Sequence, residues 1–356
     1  MSPMPHARRV QLAETLRRHK ISVAEIVTEE FFTRHPDWLA RYGEMGRQRG
    51  REDAAYHVDF LAGAIESGAV AAFEDYARWT TNVLRSRGIA PAFVAENLRQ
   101  VGQACSADLS EREREWVTSF VEAACAATAE PPPVVAAESP PPASLAVAQS
   151  VFIQAILKGQ RQAALNVALE ALRHGHAAAD VYVEILQNSL YEVGRRWESN
   201  QITVAEEHMA TAITQYVVAQ MYSRLSQSGV ARGKMIIVGV EGELHQVGAN
   251  MVADLLEADG WDVRFLGTNM PHAGILSAIA EHQPTVLGIS ATMIFNVPKV
   301  RQLIDDVRQT FGDRAPNIVL GGSAFRAAPA LSAELGAAGF APDLRSARAL
   351  VNQLSC

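Results

Sequence analysis

The 356-residue sequence is poor in cysteine, with only Cys105, Cys125 and Cys356. They lie far apart and form no CxxC, so neither a disulfide framework nor a structural zinc site has a basis here. No run approaches the roughly 18 consecutive apolar residues of a membrane helix. The opening MSPMPHARRV lacks the apolar core of a signal peptide. Basic residues do not dominate: 32 Lys and Arg against 39 Asp and Glu give a net charge of −7. A nucleic-acid-binding surface is therefore not expected. The expectation is a cytoplasmic protein with neither a membrane nor a nucleic acid as partner, and with length for two or three domains.

Composition breaks at 129–144, AEPPPVVAAESPPPAS, which holds six of the sixteen prolines. That run reads as a semi-rigid polyproline linker. Before it, residues 1–128 read as an all-helical, globin-like domain, with helices at 10–18, 22–34, 36–47, 52–67, 69–86, 91–107 and 110–126. His57, Phe60, Leu61, Ala64 and Ile65 trace one apolar helix face. After the linker, helical patterns at about 145–158, 160–174, 178–198 and 203–227 make residues 145–230 a four-helix bundle. Thr203 and Glu206 form a capping box that fixes the start of the fourth helix.

In 231–356 the period changes. Apolar runs at 235–240, 263–267, 285–290 and 317–322 alternate with helical stretches at 247–259, 272–282, 297–312 and 326–336. This is the pattern of a doubly wound parallel sheet, Rossmann-like in architecture, with ligands at the carboxyl ends of its strands. GxGxxG and a Walker A lysine are both missing, which disfavours the two commonest ligands of the fold.

The first strand is followed instead by Glu243-x-His245-x-x-Gly248. An imidazole at a strand end suits a borderline metal, and a carboxylate two residues earlier fixes its tautomer and raises its basicity. Gly248 lets the next helix start close to a bulky ligand. Ser290 and Thr292 follow the third strand and Gly321-Gly322 the fourth, so small and hydroxyl-bearing residues line one sheet edge and leave a slot. Each residue alone reads as ordinary turn chemistry.

Together these motifs resemble the cobalamin-binding domain of methionine synthase, corrinoid methyl-transfer proteins and light sensors. The resemblance implies His245 as lower cobalt ligand (base-off/His-on) and Glu243 as its orienter. It also implies that Ser290, Thr292, Gly321 and Gly322 line the nucleotide tail. The family pattern is DxHxxG; the glutamate is a departure, similar to the light-sensing branch.

In the bundle, Trp197 is followed, after nine intervening residues, by Glu207-His208, with Val204 on the same helix face. This resembles the adenosylcobalamin photoreceptors of the CarH type, which implies contacts to the upper adenosyl group. Two departures stand out. No MerR-type DNA-binding domain is present, so direct repression is not expected. The residue after Trp197 is Glu198 rather than histidine, which leaves His208, His174 or His176 as alternatives for the upper cobalt position after light.

Arg51-x5-His57-Val-Asp-Phe-Leu and Phe73-Glu-Asp-Tyr-Ala-Arg-Trp79 resemble the helical sensor domain of photocobilins, which pair adenosylcobalamin with biliverdin. The resemblance implies that His57 bonds a bilin and that Arg51 or Arg78 holds its propionates; as residues, His57 on its apolar face reads first as a core histidine, and Asp75-Tyr-Ala-Arg-Trp79 equally as plain helix packing. Biliverdin, haem or no ligand all stay open for this domain. The expected function is a light sensor, not an enzyme, that changes domain packing and oligomeric state and acts through a downstream protein partner. The alternatives are a corrinoid methyl carrier and a light-independent cobalamin sensor.

Overall fold

The computed structural model describes residues 4–130, 143–225, 228–326 and 328–354. The expected linker, apart from its ends, lies outside the described residues. Six helices come first: α1 (His6–Arg18), α2 (Lys20–Arg34), α3 (Pro36–Ser67), α4 (Val70–Arg85), α5 (Pro91–Cys105) and α6 (Glu111–Ala127). Four bundle helices follow. They are α7 (Ala143–Leu157), α8 (Arg161–Arg173), a third built from α9 (Ala178–Asp180), a π-helical stretch (Val181–Gln187) and α10 (Asn188–Glu198), and α11 (Val204–Tyr222).

The α/β region then runs β1 (Gly233–Gly239), α12 (Val247–Ala258), β2 (Trp261–Phe265), α13 (His272–His282), β3 (Val286–Ser290), α14 (Val297–Phe311), β4 (Asn317–Gly321), α15 (Pro329–Glu334), β5 (Gly339–Ala341) and α16 (Leu344–Gln353). The architecture is a helical domain, a helical bundle and a Rossmann-like parallel sheet, as the sequence pattern implies. Among the described residues no helix is long and apolar enough to cross a membrane.

Two compact units emerge. The first holds α1–α6 together with Met293–Arg301 and Ser323–Leu335; the second holds the bundle and the rest of the α/β region. In the first, the two helices expected at 36–47 and 52–67 are one element, interrupted at Gly43 (φ 60°, ψ −158°). The polar stretch 47–52 stays helical, and the break falls at the glycine that tolerates a left-handed φ. Glu66 of α3 is fully buried and accepts hydrogen bonds from Arg17 Nη1 at 2.7 Å and Arg301 Nε at 3.0 Å. The two guanidiniums keep a charge tolerable where water is excluded.

In the second unit the sheet order is β2-β1-β3-β4-β5, with every pairing parallel. The order reverses direction between β1 and β3, and the crevice outside their carboxyl ends is where ligands of such sheets bind. The register sets Gly239 beside Ser290 and Ser290 beside Gly321. β5 and α16 are not foretold by the sequence pattern: a three-residue strand carries too few residues to show a period.

Bundle and sheet share one core. Phe152, Tyr182, Ile185, Val217 and Met221 belong to the same buried cluster as Met251 and Leu255 of α12 and Leu344 of α16. Across that apolar layer Tyr182 Oη donates to Asp254 Oδ2 at 3.0 Å. Burial raises the Asp254 pKa to about 6 from 3.8, against the opposing bond from Tyr182. The unfolded carboxyl ionises first, so Asp254 favours folding at low pH. That contribution is lost as pH rises through 6. Asp254→Asn keeps an acceptor for Tyr182. It is expected to leave the melting temperature at pH 3.5 unchanged and to raise it at pH 8 by about 3 °C, read by circular dichroism.

Candidate functional site

The site is built on the loop between β1 and α12. Glu243 is fully buried, while the His245 side chain is 58% exposed. His245 Nδ1–H donates to Glu243 Oε1 at 2.6 Å, and the backbone amides of Leu244 and His245 donate to the same oxygen at 3.1 and 3.0 Å. The second carboxylate oxygen, Oε2, accepts the Thr292 amide at 2.7 Å, from the segment leaving β3. Burial pushes the Glu243 pKa up, but the bonds from the His245 ring and from the His245 and Thr292 amides outweigh it and hold the pKa at about 2. The carboxylate is thus ionised at any working pH.

Its partner is raised from the ordinary histidine value. The hydrogen bond to Glu243 is the main cause, burial opposes it, and the charges of Glu243 and Glu207 add to it. Glu207 belongs to the first turn of α11, so the end of the bundle lies near the histidine loop. The Thr203–Glu206 capping box sets that turn, with Glu206 N–H on Thr203 Oγ1 at 3.2 Å and Thr203 N–H on Glu206 Oε2 at 2.7 Å. Glu207 is itself held twice, by His208 Nδ1 at 2.6 Å and by Thr211 Oγ1 at 2.9 Å. The Thr211 contact has no signal in the motif, although the i, i+4 spacing permits it. Val204 and His208 are exposed, and Trp197 is half-buried one residue before the end of α10.

Small residues complete the sheet edge. Ser290 ends β3 and Gly321 ends β4. Gly322 has φ 98°, and a Cβ there would lie 2.2 Å from the Ala291 carbonyl oxygen, so the position admits only glycine. A Cβ on Gly248 would meet nothing within 4 Å, so the start of α12 borders open space. Thr292 meets Glu243 through its amide.

With Nδ1 committed to Glu243, His245 presents Nε2, on the far edge of the ring, to an incoming metal. Among the described residues no three His, Cys, Asp or Glu side chains converge as a metal cage. One exposed imidazole, with open space at the start of α12, fits a metal that arrives with its other ligands already in place.

Two family models match the chain, each described as a B12 binding domain, over residues 149–222 and 233–348. These stretches form a cobalamin-binding module. A corrinoid protein of Desulfitobacterium hafniense (strain Y51) is 22% identical over 205 residues, covering 56% of this chain and 94% of its own. The HTH-type transcriptional repressor CarH of Myxococcus xanthus is 28% identical over 153 residues, 43% of this chain and 50% of its own. The solved monomethylamine corrinoid protein of Methanosarcina barkeri shares the fold, with a TM-score of 0.51 at 20% identity over 57% of this chain and 96% of that one. Helices α1–α6 lie outside both family matches.

In the helical domain the three expected bilin contacts are not joined to one another. His57 is buried, with its Nδ1 2.7 Å from Tyr76 Oη. Arg51 pairs with Glu29, and Arg78 with Glu74, Asp75 and Glu130. His57 therefore sits as a core histidine does, and both arginines already have carboxylate partners.

Two predictions follow from these geometries. Glu243→Gln removes the charge that orients His245 and is expected to weaken hydroxocobalamin binding by about 10- to 100-fold, measured by absorbance titration. Burial lowers the His57 pKa to about 4 from 6.5. The unfolded chain takes up that proton first, so stability is present above pH 6.5 and falls by about 3 kcal/mol as pH drops to 4. Urea midpoints of His57→Gln are expected to vary less over this range than those of the parent protein.

Proposed function

We propose that the cobalamin module holds adenosylcobalamin and that the chain is a light sensor. In this reading His245 Nε2 is the lower axial ligand, and Ser290, Thr292, Gly321 and Gly322 line the nucleotide tail. Trp197, Val204, Glu207 and His208 form the upper enclosure. Bound adenosylcobalamin supplies a cobalt–carbon bond that visible light breaks. The protein supplies ligation, orientation and two arrangements of the bundle.

The observation that carries the reading is the Trp197, Glu207 and His208 pattern of the bundle, with Glu207 fixed in the first turn of α11 by His208 Nδ1 at 2.6 Å and Thr211 Oγ1 at 2.9 Å. A carboxylate held by His208 and Thr211, with Trp197 at the end of the preceding helix, makes a polar and bulky lid suited to an adenosine. A methyl carrier needs an open upper face for its enzyme partner. The bundle also has a place to yield. Its third helix passes through the π-helical stretch Val181–Gln187 before reaching Trp197, and π-turns mark functional irregularities in helices.

The helical domain is the place assigned to biliverdin. Support there is the aromatic group around His57: Phe60 stacks on Tyr76 at 3.7 Å between ring centroids, with Phe73 and Trp79 at 5.9 and 6.2 Å from the same ring. Propionates would have to draw Arg51 or Arg78 from their present carboxylates.

A second reading, a corrinoid methyl carrier, is favoured by the relatives named corrinoid proteins. The deciding test is absorption spectra and sizing chromatography of protein reconstituted in the dark with adenosylcobalamin, before and after green light. A lasting spectral conversion with an altered elution volume is expected, and Trp197→Ala is expected to reduce the elution change at least twofold. Binding of methylcobalamin but not adenosylcobalamin would replace the sensor by the methyl carrier. Adenosylcobalamin binding with no lasting response to light would leave a cobalamin sensor. A red-absorbing band on adding biliverdin tests the helical-domain assignment.

A further inference from the structure

The histidine loop leaves β1 at the point where the strand order reverses, and it is held from both sides. On the β3 side the Thr292 amide reaches Glu243. On the β2 side the Gly242 amide donates to Asn269 Oδ1 at 2.8 Å. We propose that Asn269 is a positioning residue for cobalt ligation: through Gly242 it sets the direction of Glu243 and so of the His245 ring. The proposal rests on His245 as the lower ligand.

Three observations support it independently of the sequence motif. The segment carrying Asn269 lies directly on the end of β1. Gly239 N–H donates to the Gly267 carbonyl at 2.9 Å, Met270 N–H donates back to the Gly239 carbonyl at 3.3 Å, and Val240 and Met270 form an isolated parallel bridge. Approach is so close that a Cβ on Gly239 would lie 2.6 Å from Thr268 Cγ2. Asn269 itself has φ 57°, a left-handed conformation that asparagine tolerates better than other side-chain-bearing residues. Lastly, Gly242 and Glu243 are consecutive, so one dipeptide is tied to β2's side by its amide and to β3's side by its carboxylate. Removing the Asn269 tie leaves Glu243 held by Thr292 and by its own amide on the Val240 carbonyl at 3.0 Å, and frees the Gly242 side of the loop to shift its direction. An outer contact that fixes a ligand's orientation is felt in metal affinity even though it never touches the metal.

The test uses the full chain, with Asn269→Ala and Asn269→Asp, the latter able to accept the same bond. Each is titrated with hydroxocobalamin, then reduced to the cobalt(II) form for electron paramagnetic resonance in protein grown on nitrogen-15-labelled histidine. Axial histidine then splits the cobalt lines into doublets, whereas a nitrogen from the cofactor itself gives triplets. Asn269→Ala is expected to bind about tenfold more weakly and to lose the doublet in part or whole, while Asn269→Asp keeps both within twofold. An unchanged doublet and affinity in Asn269→Ala would overturn the proposal. Equal losses in both variants, with lowered melting temperatures, would make Asn269 a fold residue only. A parent protein that binds hydroxocobalamin without the doublet would overturn His245 ligation, and the proposal with it.

Discussion

The geometry of the histidine loop depends on a buried carboxylate. Removing an ion from water costs several kcal/mol even after the protein relaxes, so Glu243 is stable where it is only because donors surround it. Two come from its own loop, one from the imidazole and one from the neighbouring strand's exit. That set leaves the loop little conformational choice. It must curl so that the amides of Leu244 and His245 point back at Oε1, and β1 and β3 must stay close enough at their ends for Thr292 to reach Oε2. The tautomer of His245 follows from the same requirement, because the ring nitrogen facing a carboxylate carries the proton. An aspartate here would hold its carboxylate about 1.5 Å closer to its own backbone, shortening the reach that Glu243 uses to touch both sides.

A second constraint joins the bundle to this centre. Tyr182 and the π-helical stretch around it pack into the same core as α12, the helix that begins directly after the histidine loop. Arg345 of α16 donates to Asp180 and Glu184 of the bundle, both at 2.9 Å, while Arg348 on the same helix pairs with Asp259 at the end of α12. The bundle therefore cannot shift on the sheet as a loose lid. Any second arrangement has to exchange a mixed set of apolar and ionic contacts for another set of nearly equal free energy, the condition for a two-state element rather than a continuous drift.

What could be read from the sequence divides along physical lines. Element type is a matter of period, so the parallel sheet and the four bundle helices are legible, and a capping box marks the start of α11 to the residue. The motif residues Gly321, Gly322, Ser290 and Glu243 are legible because strand ends and tight turns restrict residue type locally. Contacts set by tertiary packing are not. His57 shows its burial through an apolar helix face, yet nothing nearby reveals that its partner is Tyr76, nineteen positions on. Arg51 and Arg78 look free as residues and are paired in the structure. The tie from Gly242 to Asn269 is hidden for the same reason: an asparagine before Met-Pro reads only as a turn.

These constraints bear on what a metal at His245 would experience. A cobalt–imidazole bond is directional, and a ligand on a mobile loop would follow the metal rather than hold it. Here the ring cannot follow freely, since its far nitrogen is committed to a carboxylate that is fixed to β3's exit and whose neighbour is fixed to the segment after β2. Displacement of the imidazole would have to break a charge-assisted bond or drag both strand exits, and the row Gly239, Ser290 and Gly321 stands in register just beneath them. The ligand is rigid because its anchors belong to two different strand connections.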